Sequence, residues 1–232
     1  MSAYNAVAEE YYIVSRHPTC NNFRAASKII IASWLSAVPE RATICEVGAG
    51  KSIVAELLLE RGIPLRQLLI TDQSARMLKY SAQFSKLGAS LQETDAACLP
   101  IASKSVDCLI SSLGDPYNLP RFWTETARVL RSAGRVIFTV PAYAWATHFR
   151  SHRSQNFNEA EFDLMDGSKV FIPSFIYADC DQRNMIQAAS LKVIATRQIL
   201  VRDLEGENLS PKLGLDRGQG GEIVSGYLIR KL

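Results

Sequence analysis

The chain has 232 residues, of which 47% are hydrophobic and 21% are charged, and its formal net charge is +3. This composition is typical of a globular protein with a substantial core, and so small a positive charge does not by itself indicate a nucleic-acid-binding protein. No apolar run has the length of a membrane span, and the N-terminus lacks the charged-then-apolar order of a signal peptide, so we expect a cytoplasmic protein without a membrane partner.

The N-terminal 40 residues predict two helices, over 3–15 and 22–37, joined by a polar loop that contains His17. From residue 42 onward, β-branched runs alternate with helical patterns. Strands are expected over 42–46, 67–71, 89–93, 106–111 and 135–140, and helices over 51–61, 74–86 and 119–131. This alternation predicts a parallel sheet with right-handed crossovers.

After residue 140 the pattern changes. Residues 141–180 combine one or two helices with short extended pieces and are rich in aromatic residues. These aromatic side chains fit either the core of an inserted cap or the wall of a substrate pocket. A helix over 182–189 and strands over 192–201 and 223–230 follow, with a polar loop over 203–221 between them. Two strands without a helix between them predict an antiparallel pair. We expect one domain over 1–232, with a lid over 1–40 and a cap over 141–180.

The most informative stretch is residues 43–52, which read as a strand, a glycine turn and the start of a helix. A phosphate-binding P-loop needs a glycine five residues before Gly50, where Cys45 stands. A nicotinamide-binding turn needs a third glycine where Ile53 stands. A site for S-adenosylmethionine (SAM) needs only Glu-x-Gly-x-Gly, which Glu46 to Gly50 supply. A turn without a ligand remains a further alternative.

Signals for metal binding and disulfides are weak. Five cysteines are widely spaced without a Cys-x-x-Cys pair, which favours reduced thiols. Of the three histidines, His148 and His152 stand four residues apart, but no cysteine or acidic residue adjoins them. We therefore expect no metal site.

The ordered motifs from Tyr4 to about Leu200 resemble the class I SAM-dependent methyltransferases of the small-molecule type. Five segments carry the resemblance: Glu46-Val47-Gly48-Ala49-Gly50, Asp72-Gln73-Ser74-Ala75-Arg76-Met77-Leu78, Thr94-Asp95-Ala96 with Leu99-Pro100, Ser105 to Ile110, and Glu125 to Arg135. The resemblance implies a Rossmann-like α/β fold, with helices on both faces of a seven-stranded, mostly parallel sheet whose last strand is antiparallel. Two departures are Lys51 at the start of the first helix after the turn, and Ser132-Ala133-Gly134 in place of Pro-Gly-Gly.

The resemblance also implies a SAM site that releases S-adenosylhomocysteine. The expected cofactor-binding residues are Glu46, Gly48, Gly50, Asp72, Gln73, Met77, Asp95, Ala96 and Ser112. Asp72 would accept the ribose hydroxyls, Asp95 and Ala96 would contact the adenine edge, and Gln73, Met77 and Leu99 its faces. Glu46 fits either the cofactor amino group or a cap on backbone N–H groups. Lys51 fits either the SAM carboxylate or solvent.

The methyl acceptor is much less defined by the sequence. We expect in-line displacement onto a small organic acceptor, for which no catalytic residue can be assigned. Weak substrate-binding candidates are Tyr12, His17, Asp115, Tyr117 and His148, and the two histidines are candidate bases for an oxygen acceptor. Tyr12 fits core packing of the lid equally well, and each histidine also fits a structural or surface role.

Three alternatives stay open. Asp115-Pro116-Tyr117 has a faint likeness to the motif of enzymes that methylate amino groups of bases or proteins, or it is a proline-stabilised turn. The basic patch 148–153 fits a solvated helix face better than a nucleic-acid surface. The sequence is also compatible with a non-catalytic SAM-binding interaction module. No sequence signal specifies an oligomeric state.

Overall fold

The fold is built on a seven-stranded sheet in the order β3-β2-β1-β4-β5-β9-β8. The computed structural model describes residues 2–150, 157–204, 208–213 and 221–232. The strands of this sheet are β1 (Ile44–Val47), β2 (Leu68–Asp72), β3 (Ser90–Glu93), β4 (Val106–Ser111), β5 (Leu130–Pro141), β8 (Leu191–Leu200) and β9 (Glu222–Lys231). Strands β3, β2, β1, β4 and β5 pair in parallel, and β9 runs antiparallel to both β5 and β8. The predicted Rossmann-like fold class is therefore confirmed.

Two helices precede β1 in the chain, and the others lie between strands. They are α1 (Tyr4–Val7), α2 (Pro18–Leu35), α3 (Ile53–Glu60), α4 (Ala75–Leu78), α5 (Ala82–Ser85), α6 (Pro120–Val129), α7 (Tyr143–Arg150) and α8 (Asp179–Ala188). Successive residues of the buried strands point to opposite faces. In β4, Cys108 and Ile110 join one apolar cluster, with α3, while Leu109 joins the other, with α6 and α8. Both faces are therefore covered, which explains the continuous apolar runs.

The position of β1 decides where a ligand can bind. Its neighbours β2 and β4 leave it in opposite directions across the sheet. Open α/β sheets bind ligands in the crevice beyond the carboxyl ends of the strands at such a point. The turn after Val47 opens into this crevice.

The predicted helix over 3–15 is wrong. Only Tyr4–Val7 is helical, and turns lead on to α2, which begins at Pro18 rather than at residue 22. Tyr80 fixes this path by donating its hydroxyl proton to the carbonyl oxygen of Ala8, at 2.7 Å.

The predicted helix over 74–86 is divided by a 3-10 turn at Lys79–Ser81. The reason is a contact with the glycine turn. The hydroxyl of Ser81 donates to the carbonyl oxygen of Gly50 at 2.6 Å and accepts the backbone N–H of Ser52 at 2.8 Å. The interruption thus braces the turn after β1.

The region predicted as a cap contains α7 and a separate antiparallel hairpin of β6 (Glu159–Asp163) and β7 (Lys169–Pro173). Phe162 and Ile172 of this hairpin pack against Val7 of the N-terminal segment. Part of the basic patch 148–153 and most of the polar loop 203–221 lie outside the described residues. Within the described part of the chain, no helix combines the length and apolar character that crossing a bilayer requires.

Candidate active site

Two adjacent cavities lie beyond the carboxyl ends of the central strands. The first, here the glycine-turn cavity, has a volume of about 440 Å³. The second, here the lid cavity, has about 390 Å³ and lies between residues 4–23 and the cap. Tyr4, Tyr11 and Leu113 line both cavities and so form their common wall.

The glycine-turn cavity brings together most of the predicted cofactor-binding residues. Those that line it are Gly48, Gly50, Asp72, Gln73, Met77, Asp95, Ala96 and Ser112, together with Tyr12 and Tyr117. They follow four different strands, so the sheet edge, rather than any single segment, assembles the set. Its volume lies in the range usual for a small-molecule site.

The two glycines are required because of two tyrosines. Gly48 and Gly50 have φ of +64° and +49°, a region that strains most other residues. A Cβ at Gly48 would lie 2.3 Å from the Tyr117 hydroxyl, and one at Gly50 would lie 2.3 Å from the Tyr12 hydroxyl. The sequence predicts close approach of a ligand at this turn; the structure shows that protein rings approach it as well.

Asp72 holds the turn from the end of β2. Its two carboxylate oxygens accept the backbone N–H groups of Gly50 and Ser74, each at 2.8 Å. Burial raises the pKa of this carboxyl, and these N–H donors partly offset the shift. Each oxygen has a second lone pair, so Asp72 can still accept the hydroxyls of a ribose.

Glu46 lies away from the cavity. Its fully buried carboxylate accepts the backbone N–H groups of Ile53 and Val54 at 3.1 and 3.3 Å, and the hydroxyl of Ser52. Of the two roles left open for Glu46, the structure supports the cap on α3. Burial raises its pKa to about 7.

Two further residues that the sequence associated with SAM, Lys51 and Leu99, do not line the glycine-turn cavity. Lys51 reaches Glu56, at 3.8 Å between Nζ and Oε1, and its side chain is 44% exposed, so it follows the solvent alternative. Leu99 is buried in the core beside α6 and does not line the glycine-turn cavity.

Arg24 of α2 is a cavity residue that the sequence analysis missed. Its guanidinium donates to the carbonyl oxygen of Lys51 at 2.6 Å and lies 5.7 Å from the centre of the Tyr12 ring. The Tyr12 hydroxyl accepts the N–H of the same Lys51 peptide at 2.7 Å. Both backbone groups of Lys51 are thus held by the N-terminal region. A cation beside the N-terminus of α3 suits a carboxylate ligand.

The lid cavity has a group of aromatic side chains in its wall, together with polar and charged residues. Phe23, Trp145, Phe149 and Phe162 line it, and Trp145 and Phe149 stack with ring centres 5.2 Å apart. The residues come from segments far apart in the chain. This placement supports the pocket-wall alternative for several of the cap's aromatic residues.

Asp115 and Tyr117 face different cavities. Asp115 lines the lid cavity, where it accepts the Ser174 hydroxyl, and burial raises its pKa to about 6. Tyr117 lines the glycine-turn cavity and donates its hydroxyl proton to the carbonyl oxygen of Val47 at 2.7 Å. The pair therefore does not form one amine-binding pocket, in contrast to the alternative considered from the sequence.

The two candidate histidines are also separated. His17 lines the lid cavity, and burial lowers the pKa of its imidazole. His148 is exposed on α7 and lines neither cavity, so the structure removes it from the candidate site.

Comparison with known proteins agrees with this geometry. The family model described as a methyltransferase domain matches residues 45–138. This central part of the chain is therefore similar to a methyltransferase domain. The matched segment runs from β1 to β5 and contains most of the predicted cofactor-binding residues.

A curated relative gives a second line of support for this methyltransferase domain. Over 120 residues, the chain is 30% identical to a malonyl-[acyl-carrier protein] O-methyltransferase of Methylococcus capsulatus. The match covers 50% of this chain but only 43% of that protein.

Solved structures share the fold of the methyltransferase domain. One is a methyltransferase described as SAM-dependent from Listeria monocytogenes, with a TM-score of 0.64 at 14% identity, covering 90% of this chain and 99% of that one. Another is the Haloferax volcanii methyltransferase solved with its Trm112 activator, with a TM-score of 0.68 at 17% identity, covering 98% and 95%. The predicted family is confirmed, and the comparisons support an enzyme that uses SAM.

Proposed function

We propose that this protein transfers the methyl group of SAM, bound in the glycine-turn cavity, to a small organic acceptor in the lid cavity. The observation that carries the proposal is the wall shared by the two cavities at Tyr4, Tyr11 and Leu113. In-line displacement needs the attacking atom, the methyl carbon and the sulfur on one line. Because the two cavities adjoin at these three residues, ligands in them would lie close to each other, as that geometry requires.

SAM fits the residues of the first cavity. Asp72 offers carboxylate oxygens for ribose hydroxyls, Asp95 and Ala96 follow β3 where an adenine edge would lie, and Arg24 offers a cation for the methionine carboxylate. When bound, SAM supplies an electrophilic methyl group on a sulfonium. The residues of this chain orient that group and hold water away from it.

The identity of the methyl acceptor cannot be inferred from the relatives. Of the residues that line the lid cavity, Leu113 and Asp115 lie within the segment matched by the family model. The M. capsulatus relative is named for an acyl group on a carrier protein, whereas the lid cavity, with a volume of about 390 Å³ and aromatic side chains in its wall, favours a small molecule. We therefore propose a small acceptor, in a cytoplasmic setting, rather than a macromolecule.

Calorimetric titration tests the cofactor, with SAM and S-adenosylhomocysteine added to the purified chain. We expect micromolar binding of both, and no binding of ATP or NAD⁺, the ligands of the two alternative turn motifs. Tight binding of either nucleotide, with none of SAM, would overturn the proposal.

Acceptor-dependent release of S-adenosylhomocysteine tests the reaction. We expect turnover with at least one class of small acceptor in a screen of phenols, carboxylic acids and amines. SAM binding without turnover across a broad screen would instead favour the non-catalytic interaction module.

A further inference from the structure

A buried histidine–glutamate pair lies at the lid cavity. Nε2 of His17 is 3.6 Å from Oε2 of Glu10, and the two side chains are 9% and 10% exposed. Among the described residues, neither of these two atoms has a hydrogen-bond partner. Buried polar atoms nearly always have a hydrogen-bond partner. Two buried atoms without one, at the edge of a cavity, therefore call for a functional explanation.

The surroundings hold the pair in place. Oε1 of Glu10 accepts the backbone N–H of Met165 at 3.1 Å, which ties the carboxylate to the turn of the cap hairpin. The imidazole lies edge-on to the Phe162 ring, with ring centres 5.4 Å apart. His17 is therefore fixed between the lid segment and the cap, and it lines the cavity that we assign to the acceptor.

The other charged residues that line the lid cavity are Arg16, Asp115, Arg150, Glu159, Glu161 and Lys212, and two of them are held by hydrogen bonds within the protein. Asp115 accepts the hydroxyl of Ser174. Arg150 donates to the carbonyl oxygens of Phe157 and Ser174 and to the Ser174 hydroxyl. A guanidinium occupied in this way is not arranged to receive a carboxylate substrate.

We propose that the acceptor is a hydroxyl compound with an aromatic or apolar body, and that His17 is the general base that takes its proton. The inference rests on the proposed function. Glu10 is a positioning residue that orients the imidazole and stabilises its protonated form. The aromatic side chains of the lid cavity receive the body of the acceptor.

The hydroxyl oxygen attacks the methyl carbon of the sulfonium, the carbon–sulfur bond breaks, and its electron pair stays on sulfur to give neutral S-adenosylhomocysteine. The hydroxyl proton passes to Nδ1 of His17, because Nε2 faces Glu10, and the ring becomes an imidazolium beside the Glu10 carboxylate. Solvent then removes that proton before the next turnover.

Several groups set the proton affinity of His17. Burial lowers its pKa, Glu10 raises it, and the cations Arg16 and Lys212 lower it. Oε2 of Glu10 also lies 3.7 Å from Nε of Arg16. A neutral imidazole near pH 7 is the form that a general base needs.

The test uses a series of 4-substituted phenols of decreasing pKa, namely phenol, 4-cyanophenol and 4-nitrophenol, with benzoate as the carboxylate probe. Release of S-adenosylhomocysteine is measured for the wild type, His17→Gln and Asp115→Asn. Loss of a general base costs about 10²–10⁴-fold in rate. We expect His17→Gln to lose at least about 100-fold with phenol and to recover with 4-nitrophenol, which is largely ionised at pH 8. That recovery would also show that the variant is folded and binds SAM.

Glu10→Gln separates positioning from packing, with the exposed neighbour Glu9→Gln as the matched control. Loss of the carboxylate lowers the pKa of His17, so the rise of kcat with pH should move to lower pH while the plateau rate falls. Glu9→Gln should leave the profile unchanged. An unchanged profile in Glu10→Gln would contradict its role.

Four outcomes would overturn the inference. Two concern the variants: the rate depends equally on phenol pKa in the wild type and His17→Gln, or the loss of rate with phenol appears in Asp115→Asn instead. The other two concern the acceptor: benzoate is methylated but no phenol is, or SAM binds without transfer to any phenol. Each of them leaves the cofactor assignment standing. Failure to bind SAM would instead remove the proposed function itself.

Discussion

The two cavities differ in how the chain builds them. The glycine-turn cavity is made largely at the ends of consecutive strands, where backbone N–H groups and one buried carboxylate fix the geometry. The lid cavity is made by side chains from the N-terminal segment, the cap and residues 210–212. One therefore depends on the sheet, and the other depends on how separate segments pack.

This difference predicts separable effects of mutation. Changes at the strand ends should alter SAM affinity and leave acceptor preference intact. Changes in those lid and cap residues that line only the lid cavity should do the reverse. Each prediction below tests that separation, beginning with the largest expected effect.

Asp72→Asn should lower SAM affinity about 100-fold. The amide loses the charge that ribose hydroxyls bond to, and each charge-assisted hydrogen bond contributes about 1.5 kcal/mol or more. Calorimetry gives the dissociation constant, and a thermal melt shows whether the variant is folded. The control is Asp181→Asn, an exposed position on α8 that lines neither cavity. Equal SAM affinity in Asp72→Asn and the wild type would place the cofactor elsewhere.

The same division explains what the sequence could predict. Gly48, Gly50, Asp72 and Asp95 follow strands whose apolar runs are plain in the sequence, so their convergence follows from the topology. His17 and Trp145 converge through packing between distant segments, which no local pattern encodes. Arg24 was missed because a lone arginine on an amphipathic helix resembles any solvated charge until the helix is placed.

Glu46→Gln should change the pH dependence of stability. Burial raises the pKa of Glu46 in the folded state to about 7, above the unfolded value, so the folded state binds the proton more tightly. Its contribution to the free energy of unfolding is fully present below the unfolded pKa and is lost as pH rises through about 7. The stability of the wild type relative to Glu46→Gln should therefore fall by on the order of 2 kcal/mol between pH 4.5 and pH 8.

Denaturant unfolding of both proteins at several pH values measures this difference. If the free energies of unfolding of the two proteins changed equally with pH, the pKa of the Glu46 carboxyl would not be raised by folding. A fall in stability with pH in the wild type alone would sharpen the comparison of the two cavities. It would support Glu46 as a structural group of the glycine-turn region rather than a ligand to SAM.

Trp145→Ala should lower kcat/KM for the acceptor about tenfold, with SAM affinity within about twofold. Trp145 packs edge-on to Phe23, with ring centres 4.6 Å apart, and its Nε1–H donates to the carbonyl oxygen of Lys212 at 2.9 Å. Steady-state kinetics and calorimetry together measure both effects. Tyr143→Ala on the same helix is the control, since Tyr143 is exposed and lines neither cavity. A similar loss of SAM affinity in Trp145→Ala would show that the two cavities are not separable.

Arg24→Ala should have the smallest effect of these variants, and it should lower affinity only for ligands that carry the amino-acid end of the cofactor. Arg24 already contacts Glu56, with Nη2 and Oε1 3.4 Å apart, so part of its charge is neutralised before a ligand carboxylate arrives. We expect about a fivefold loss of affinity for S-adenosylhomocysteine, or about 1 kcal/mol. Methylthioadenosine lacks the amino-acid end of the cofactor and should bind Arg24→Ala and the wild type alike. Lys28→Ala is the matched control one turn along α2, where Lys28 bonds Glu60. Equal losses for both ligands would mean that Arg24 acts only by holding the Lys51 peptide, and α2 would then support the glycine turn without touching the cofactor.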